Sequence, residues 1–185
     1  DIFVCGLMSN FQFQQEKFII VNRMFMTNDW ENAAKGGGKE VKDILAYLRI
    51  IVNPSDGISF DRIVNFPPRG IGKTTLKKIH NLANENDYTY LRALGDFNFL
   101  SIGQKQKKAL HEFNQLIHKY RTSYKEEGAA SITRDLLADI DLQSYYENQN
   151  SQEALERWSN VQELVNSISD FQENRNEDGL REFLE

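Results

Sequence analysis

One cysteine, three prolines, three histidines and no long apolar run set the first limits on this 185-residue chain. The lone Cys5 excludes an internal disulfide framework and fits a reducing compartment, so a cytoplasmic location is expected. Near the start the longest apolar stretch is Phe18-Ile19-Ile20-Val21, far short of a bilayer span, and no signal-peptide pattern opens the chain. A membrane partner is therefore not expected. His80, His111 and His118 stand at no metal-ligand spacing with Cys5 or with one another, which predicts no metal site. Positive charge is scarce overall: a net charge of −5 argues against a protein that coats nucleic acid through its total charge. With 40% hydrophobic residues the chain has enough apolar surface for one sizeable core. It opens on Asp1 and stops at Glu185 within a helical pattern, so it reads as a piece of a longer protein.

Charge is unevenly distributed. Arg69, Lys73, Lys77, Lys78 and His80 gather around one segment, Lys105, Lys107 and Lys108 form a second group, and acidic residues concentrate between 147 and 185. The first group surrounds Pro67-Pro68-Arg69-Gly70-Ile71-Gly72-Lys73-Thr74-Thr75. Two glycines permit a tight turn and a close approach of main chain to ligand, and Lys73, Thr74 and Thr75 then fall on the first turn of the next helix. Free N–H groups there, backed by the helix dipole, suit a phosphate. Gly72-Lys73-Thr74 also matches the end of a nucleotide-binding P-loop. The leading glycine of that motif would stand at Pro67, however, and residues 58–66 carry helical rather than strand periodicity, so no ATP site is read here.

Residues 1–35 show partial alternation of β-branched and aromatic side chains and are left unassigned, either a short β appendage or a foreign or rearranged segment. Gly36-Gly37-Gly38 forms a linker, either a natural loop or an engineered joint. From Lys39 to Glu185 the pattern is helical, giving a mainly all-α, irregular helical domain with a glycine hairpin between two of its helices. Val41, Ile44, Leu45, Leu48, Ile51 and Val52 mark a first helix ended by Asn53-Pro54, and a second ends at Phe66 before the proline pair. Leu76, Ile79, Leu82 and Ala83 mark a third, Tyr90 to Leu94 a fourth, and 104–120 a fifth. A sixth spans 131–140, a short turn 142–146, and a long helix 151–171 whose stripe of Leu155, Trp158, Val161, Leu164, Val165, Ile168 and Phe171 is expected in the core. Trp30 and Trp158 have faces that could stack on bases, but Trp158 lies on that stripe. A secondary anion-binding candidate is Ser101, Gly103 and Lys105, with Ser101 placed as the cap of the fifth helix.

Taken in order, Lys39-Glu40-Val41-Lys42-Asp43-Ile44-Leu45-Ala46-Tyr47-Leu48-Arg49, then Val52-Asn53-Pro54 with Asp56 and Phe60, then Arg62 to Gly72, closely resemble accessory domain 2B of superfamily 1 DNA helicases of the UvrD/PcrA/Rep type. The resemblance covers about residues 39–185, with Trp158-Ser159-Asn160-Val161-Gln162-Glu163-Leu164 similar to the distal half. It implies a duplex-DNA-binding, regulatory domain of an ATP-dependent 3′–5′ helicase active in DNA repair. By the same resemblance Arg69, Gly70, Ile71, Gly72, Lys73, Thr74, Thr75 and Lys77 contact the duplex backbone without sequence preference, and the motor domains of the parent are partners. ATP and Mg²⁺ belong to that parent; this chain lacks the P-loop and the metal-binding acidic motif and is expected to be inactive alone. Gly36–Gly38 stand where the family carries an aromatic-containing segment, and residues 1–35 match nothing in that domain. Two rival readings are a DNA-repair glycosylase or lyase, which also uses glycine hairpins but needs a catalytic Lys or Asp in a base-accepting pocket, and a protein-interaction module.

Overall fold

The computed structural model describes residues 38–96, 100–124 and 127–184, with side chains to residue 170. Among these, all regular structure is helical, as the periodicity predicts. Eight helices follow in order: α1 (Lys39–Val52), α2 (Gly57–Ile63), α3 (Lys73–Asn86), α4 (Tyr90–Gly95), α5 (Gln104–Ser123), α6 (Ala129–Asp139), α7 (Leu142–Glu147) and α8 (Gln152–Leu184). The β reading of residues 1–35, the linker and Trp30 lie outside the described residues.

Helix α1 is the central element. Ten of its 14 residues are buried, because it packs against α2, α5 and α8 at once. A helix enclosed on so many sides must satisfy its polar side chains internally. Glu40 accepts from Asn160 Nδ2 of α8 at 2.7 Å, and Asp43 accepts from Arg62 Nε of α2 at 2.7 Å. Burial pushes the Asp43 carboxyl above its usual range, and the Arg62 guanidinium pulls it back. At the other end of α1, Arg121 Nη1 of α5 donates to the Ile51 carbonyl at 2.8 Å, supplying a partner for one of the helix's terminal carbonyls. These ties fix α2, α5 and α8 around one cylinder.

Phe113 of α5 fills the space between the first two helices and the hairpin. Its ring lies 6.4 Å from that of Tyr47 and 6.1 Å edge-on from that of Phe60, whose other neighbour is the stacked ring of Tyr90 at 5.0 Å. Farther along α5, Asp139 of α6 accepts from Lys119 Nζ at 2.5 Å and Tyr120 Oη at 2.7 Å. The hydrogen bond from Lys119 holds the Asp139 carboxyl below its usual range. Side-chain caps start α2 (Asp56 to Ser59 N, 3.0 Å), α4 (Thr89 to Arg92 N, 3.2 Å) and α8 (Ser151 to Ala154 N, 3.1 Å).

Several boundaries differ from the sequence expectation. Helix α2 ends at Ile63 rather than Phe66, since Phe66 precedes a proline and the carbonyls of Ile63, Val64 and Phe66 turn to another donor. The turn at 142–146 is a true helix, and α8 runs beyond Phe171 to Leu184. Among the described side chains the α8 stripe is narrower than expected. Its buried arc there is Ala154, Val161, Leu164, Val165 and Ile168; Leu155 is 52% exposed, Trp158 is half-buried at the edge of a groove beside Leu137 and Val165, and the side chain of Phe171 lies outside the described residues.

Phe113→Ala should lower stability by about 3–5 kcal/mol, while Leu155→Gln should change it by less than about 0.5 kcal/mol. Urea-unfolding midpoints measure both, and equal losses would contradict this placement of the core.

Candidate nucleic-acid interface

Residues 64–72 join α2 to α3 and are held by two devices. The first is Arg69, whose guanidinium turns inward rather than toward solvent. Nη1 donates to the carbonyls of Phe66 (2.7 Å) and Ile63 (3.1 Å) and, its two hydrogens shared, at longer range to those of Pro67 (3.3 Å) and Val64 (3.5 Å), gathering oxygens at and just beyond the C-terminus of α2. Nη2 donates to Tyr47 Oη at 2.6 Å, Tyr47 Oη donates to the Phe66 carbonyl, and the guanidinium carbon lies 5.2 Å above the Phe113 ring. The second device is Asn65, whose Oδ1 accepts from Arg69 N and Ile71 N, each at 2.9 Å.

Ile71 drives the hairpin tip into the core at 2% exposure, between two exposed glycines. Those glycines serve different ends. Gly70 has φ +76°, a conformation that L side chains adopt only at a cost. Gly72 has φ −91° and ψ 172°, open to any residue, and a Cβ there would meet nothing within 4 Å. Gly72 is also the N-cap of α3, a position where Ser, Thr, Asp or Asn would add stability by capping the helix. Among the described residues no side chain caps α3; Leu76 N is the first to bond back, to the Gly72 carbonyl at 3.1 Å, and the N–H groups of Lys73, Thr74 and Thr75, in the first turn, make no hydrogen bond there. Neither internal packing nor dihedral angle accounts for glycine at 72.

Most of the expected cations are engaged within the protein. His80 Nε2 lies 2.6 Å from Asp61 Oδ1, Lys78 Nζ donates to the Ser101 carbonyl, and Arg69 is consumed as above. Lys73 and Lys77, one turn apart on α3, are exposed and make no ion pair among the described residues. Thr74 is exposed and Thr75 half-buried. Gly70, Gly72, Lys73, Thr74 and Lys77 are thus exposed on the hairpin and the first turns of α3, with Thr75 half-buried among them, while Ile71 is buried and the Arg69 guanidinium is turned inward. Periodicity gave no signal for Asn65 or Tyr47 as supports of the hairpin, because both make their decisive contacts through polar atoms at positions that read only as helix.

At the secondary candidate, Ser101 does not cap α5. The cap is Gly103, without a side-chain hydrogen bond, because Ile102 intervenes and packs against the core. Ser101, Gly103 and Lys105 are all exposed, and the Lys78 bond draws this turn alongside α3. No group of three His, Cys, Asp or Glu converges as a metal site among the described residues, and no described helix is long and apolar enough to cross a membrane.

Residues 38–185 match the family described as the UvrD-like helicase C-terminal domain. The ATP-dependent DNA helicase PcrA of Bacillus subtilis (strain 168) is 34% identical over 146 residues, covering 79% of this chain and 20% of that protein. The protein of that name from Staphylococcus aureus (strain Mu50) is 30% identical over 160 residues, covering 84% of this chain and 22% of the relative. The chain thus spans about a fifth of the length of these relatives.

Two outcomes follow from the hairpin's geometry. Gly70→Ala should cost about 1–2 kcal/mol through its left-handed backbone, whereas Gly72→Ser should leave thermal stability unchanged or raise it by a few tenths of a kcal/mol, roughly the advantage of serine over glycine as a cap; calorimetry distinguishes them. Burial pushes the Tyr47 hydroxyl from 10.0 up to about 12, against the opposing pull of Arg69. The folded state therefore keeps this proton where the unfolded chain would lose it. Its contribution is fully present below pH 10.0 and is lost as pH rises through about 12. Tyr120 and Tyr146 are raised in the same direction. Melting temperature should fall steeply across that window, and less steeply in Tyr47→Phe.

Proposed function

The chain belongs to the UvrD-like helicase C-terminal domain family, and from that premise we propose that it is domain 2B of a PcrA-type ATP-dependent DNA helicase, contacting the duplex ahead of the motor. The observation that carries this reading is Gly72: a helix cap left bare, at a position where the fold itself has no need of glycine. Capping would stabilise the protein but occupy the N–H groups of α3. Leaving them open costs a little stability and keeps an anion site whose rim a phosphate oxygen can approach without meeting a Cβ.

The division of labour is as follows. The N–H groups of Lys73, Thr74 and Thr75 receive one phosphate, the Thr74 hydroxyl adds a donor, and the ammonium groups of Lys73 and Lys77 neutralise that phosphate and its neighbour. Arg69 and Ile71 act from below, keeping the rim in shape. Ser101, Gly103 and Lys105 form a weaker flanking contact on the same side. Contacts to phosphate ignore base edges, so binding is independent of sequence. In the parent protein the motor domains supply ATP hydrolysis with Mg²⁺, and rotation of this domain on the duplex biases the motor between active and inhibited states.

With two to four phosphates neutralised, affinity should fall in the non-specific range of about 10⁻⁴ to 10⁻⁶ M, with a log–log salt slope of about −2 to −4. Fluorescence anisotropy with a short duplex at several salt concentrations reads both. Gly72→Asp is the decisive variant. Asp is a favourable cap and should fold as well as glycine or better, yet its carboxylate occupies the N–H groups and repels phosphate. Combined with Lys73→Glu it should abolish measurable binding. Salt-insensitive binding that survives both changes would remove the hairpin from the interface.

A further inference from the structure

We propose that Asn65 is a positioning residue of this interface and also touches the phosphate, through the two ends of one carboxamide. The proposal rests on the duplex-contact reading and extends it to a residue outside the glycine motif. Asn65 Oδ1 is the shared acceptor for Arg69 N and Ile71 N, both at 2.9 Å, which brackets the left-handed Gly70 between two fixed amides. Two N–H donors converging on one atom also settle which end of the carboxamide is oxygen. The remaining end, Nδ2, makes no hydrogen bond among the described residues, and Asn65 is exposed. Since Nδ2 shares a planar group with an oxygen lying against the Arg69 and Ile71 amides, it sits beside the hairpin, on an exposed residue, with two donors that no described group occupies. A neutral amide there shapes the loop and offers protons to an anion at once.

A carboxylate of the same shape separates the two roles, because it accepts from both main-chain amides but has no donor and carries the wrong charge. The full 185-residue chain is compared as wild type, Asn65→Asp, Asn65→Ala and Lys73→Glu, at pH 7, by duplex anisotropy and by hydrogen exchange at the Ile71 amide. In Asn65→Asp the Ile71 amide should stay protected while duplex affinity falls about tenfold, the scale of one charge-assisted bond lost and a repulsion gained. In Asn65→Ala the Ile71 amide should exchange at least about tenfold faster and affinity should fall about three- to tenfold, as expected for loss of the shared acceptor. Asn65→Asp binding at wild-type strength would overturn the phosphate contact, and Asn65→Ala binding at wild-type strength with a fast Ile71 amide would overturn the positioning role. If Lys73→Glu weakens binding and neither Asn65 variant does, this inference alone fails. If wild type shows no salt-dependent duplex binding, or Lys73→Glu leaves it unchanged, the duplex reading fails and takes this inference with it.

Discussion

The enclosure of α1 is the constraint from which most of this architecture follows. A helix with Ile44, Tyr47, Ile50 and Ile51 almost fully buried also carries Glu40 and Asp43 out of contact with water. Each of its buried polar side chains then requires a partner, and each partner belongs to a different part of the chain: Asn160 on α8 for Glu40, Arg62 on α2 for Asp43, and Arg69 in the hairpin for Tyr47. Breaking any one tie leaves a buried donor or acceptor unsatisfied, a loss of about 1–3 kcal/mol. The apolar surface of α1 supplies the drive to collapse, and its three buried polar side chains, Glu40, Asp43 and Tyr47, decide which element lies where.

The hairpin inherits its shape from that arrangement. Tyr47 reaches from α1 to both Arg69 and the Phe66 carbonyl, so the loop is joined to the centre of the molecule through a buried hydroxyl. Arg69 then gathers four carbonyls at the end of α2, and Asn65 holds the amides on either side of Gly70. A loop fixed at its base by a guanidinium and at its tip by Ile71 has little freedom to lose when a ligand arrives.

Helix existence and order were legible in the sequence because apolar residues recur at helical spacing and because Asn53-Pro54 and Pro67-Pro68 interrupt them. The helix–hairpin–helix arrangement around Gly70 and Gly72 was legible for the same reason. What could not be read were roles that depend on where a side chain points. Arg69 looks like a surface cation in sequence, yet four carbonyls and an aromatic ring make the interior its better environment. Ser101 looks like a cap two residues too early, because Ile102 is drawn to the core and shifts the helix start to Gly103. Leu155 fits the α8 stripe by spacing alone, but Ala154 already occupies the buried arc and leaves it outside. Conversely, no pattern in the sequence separates Gly70, which the backbone requires, from Gly72, which it does not.

The partners of Arg69 are all neutral: main-chain carbonyls and a phenol that holds its proton to high pH. Its positive charge is therefore solvated by protein dipoles but cancelled by no carboxylate among these contacts. A charge so placed acts on the surface differently from the lysines above it. It loses no rotamer freedom when an anion arrives, and counterions reach it less readily than they reach an exposed ammonium. The hairpin thus carries two kinds of positive charge, one mobile and easily screened, the other built into the frame and screened less.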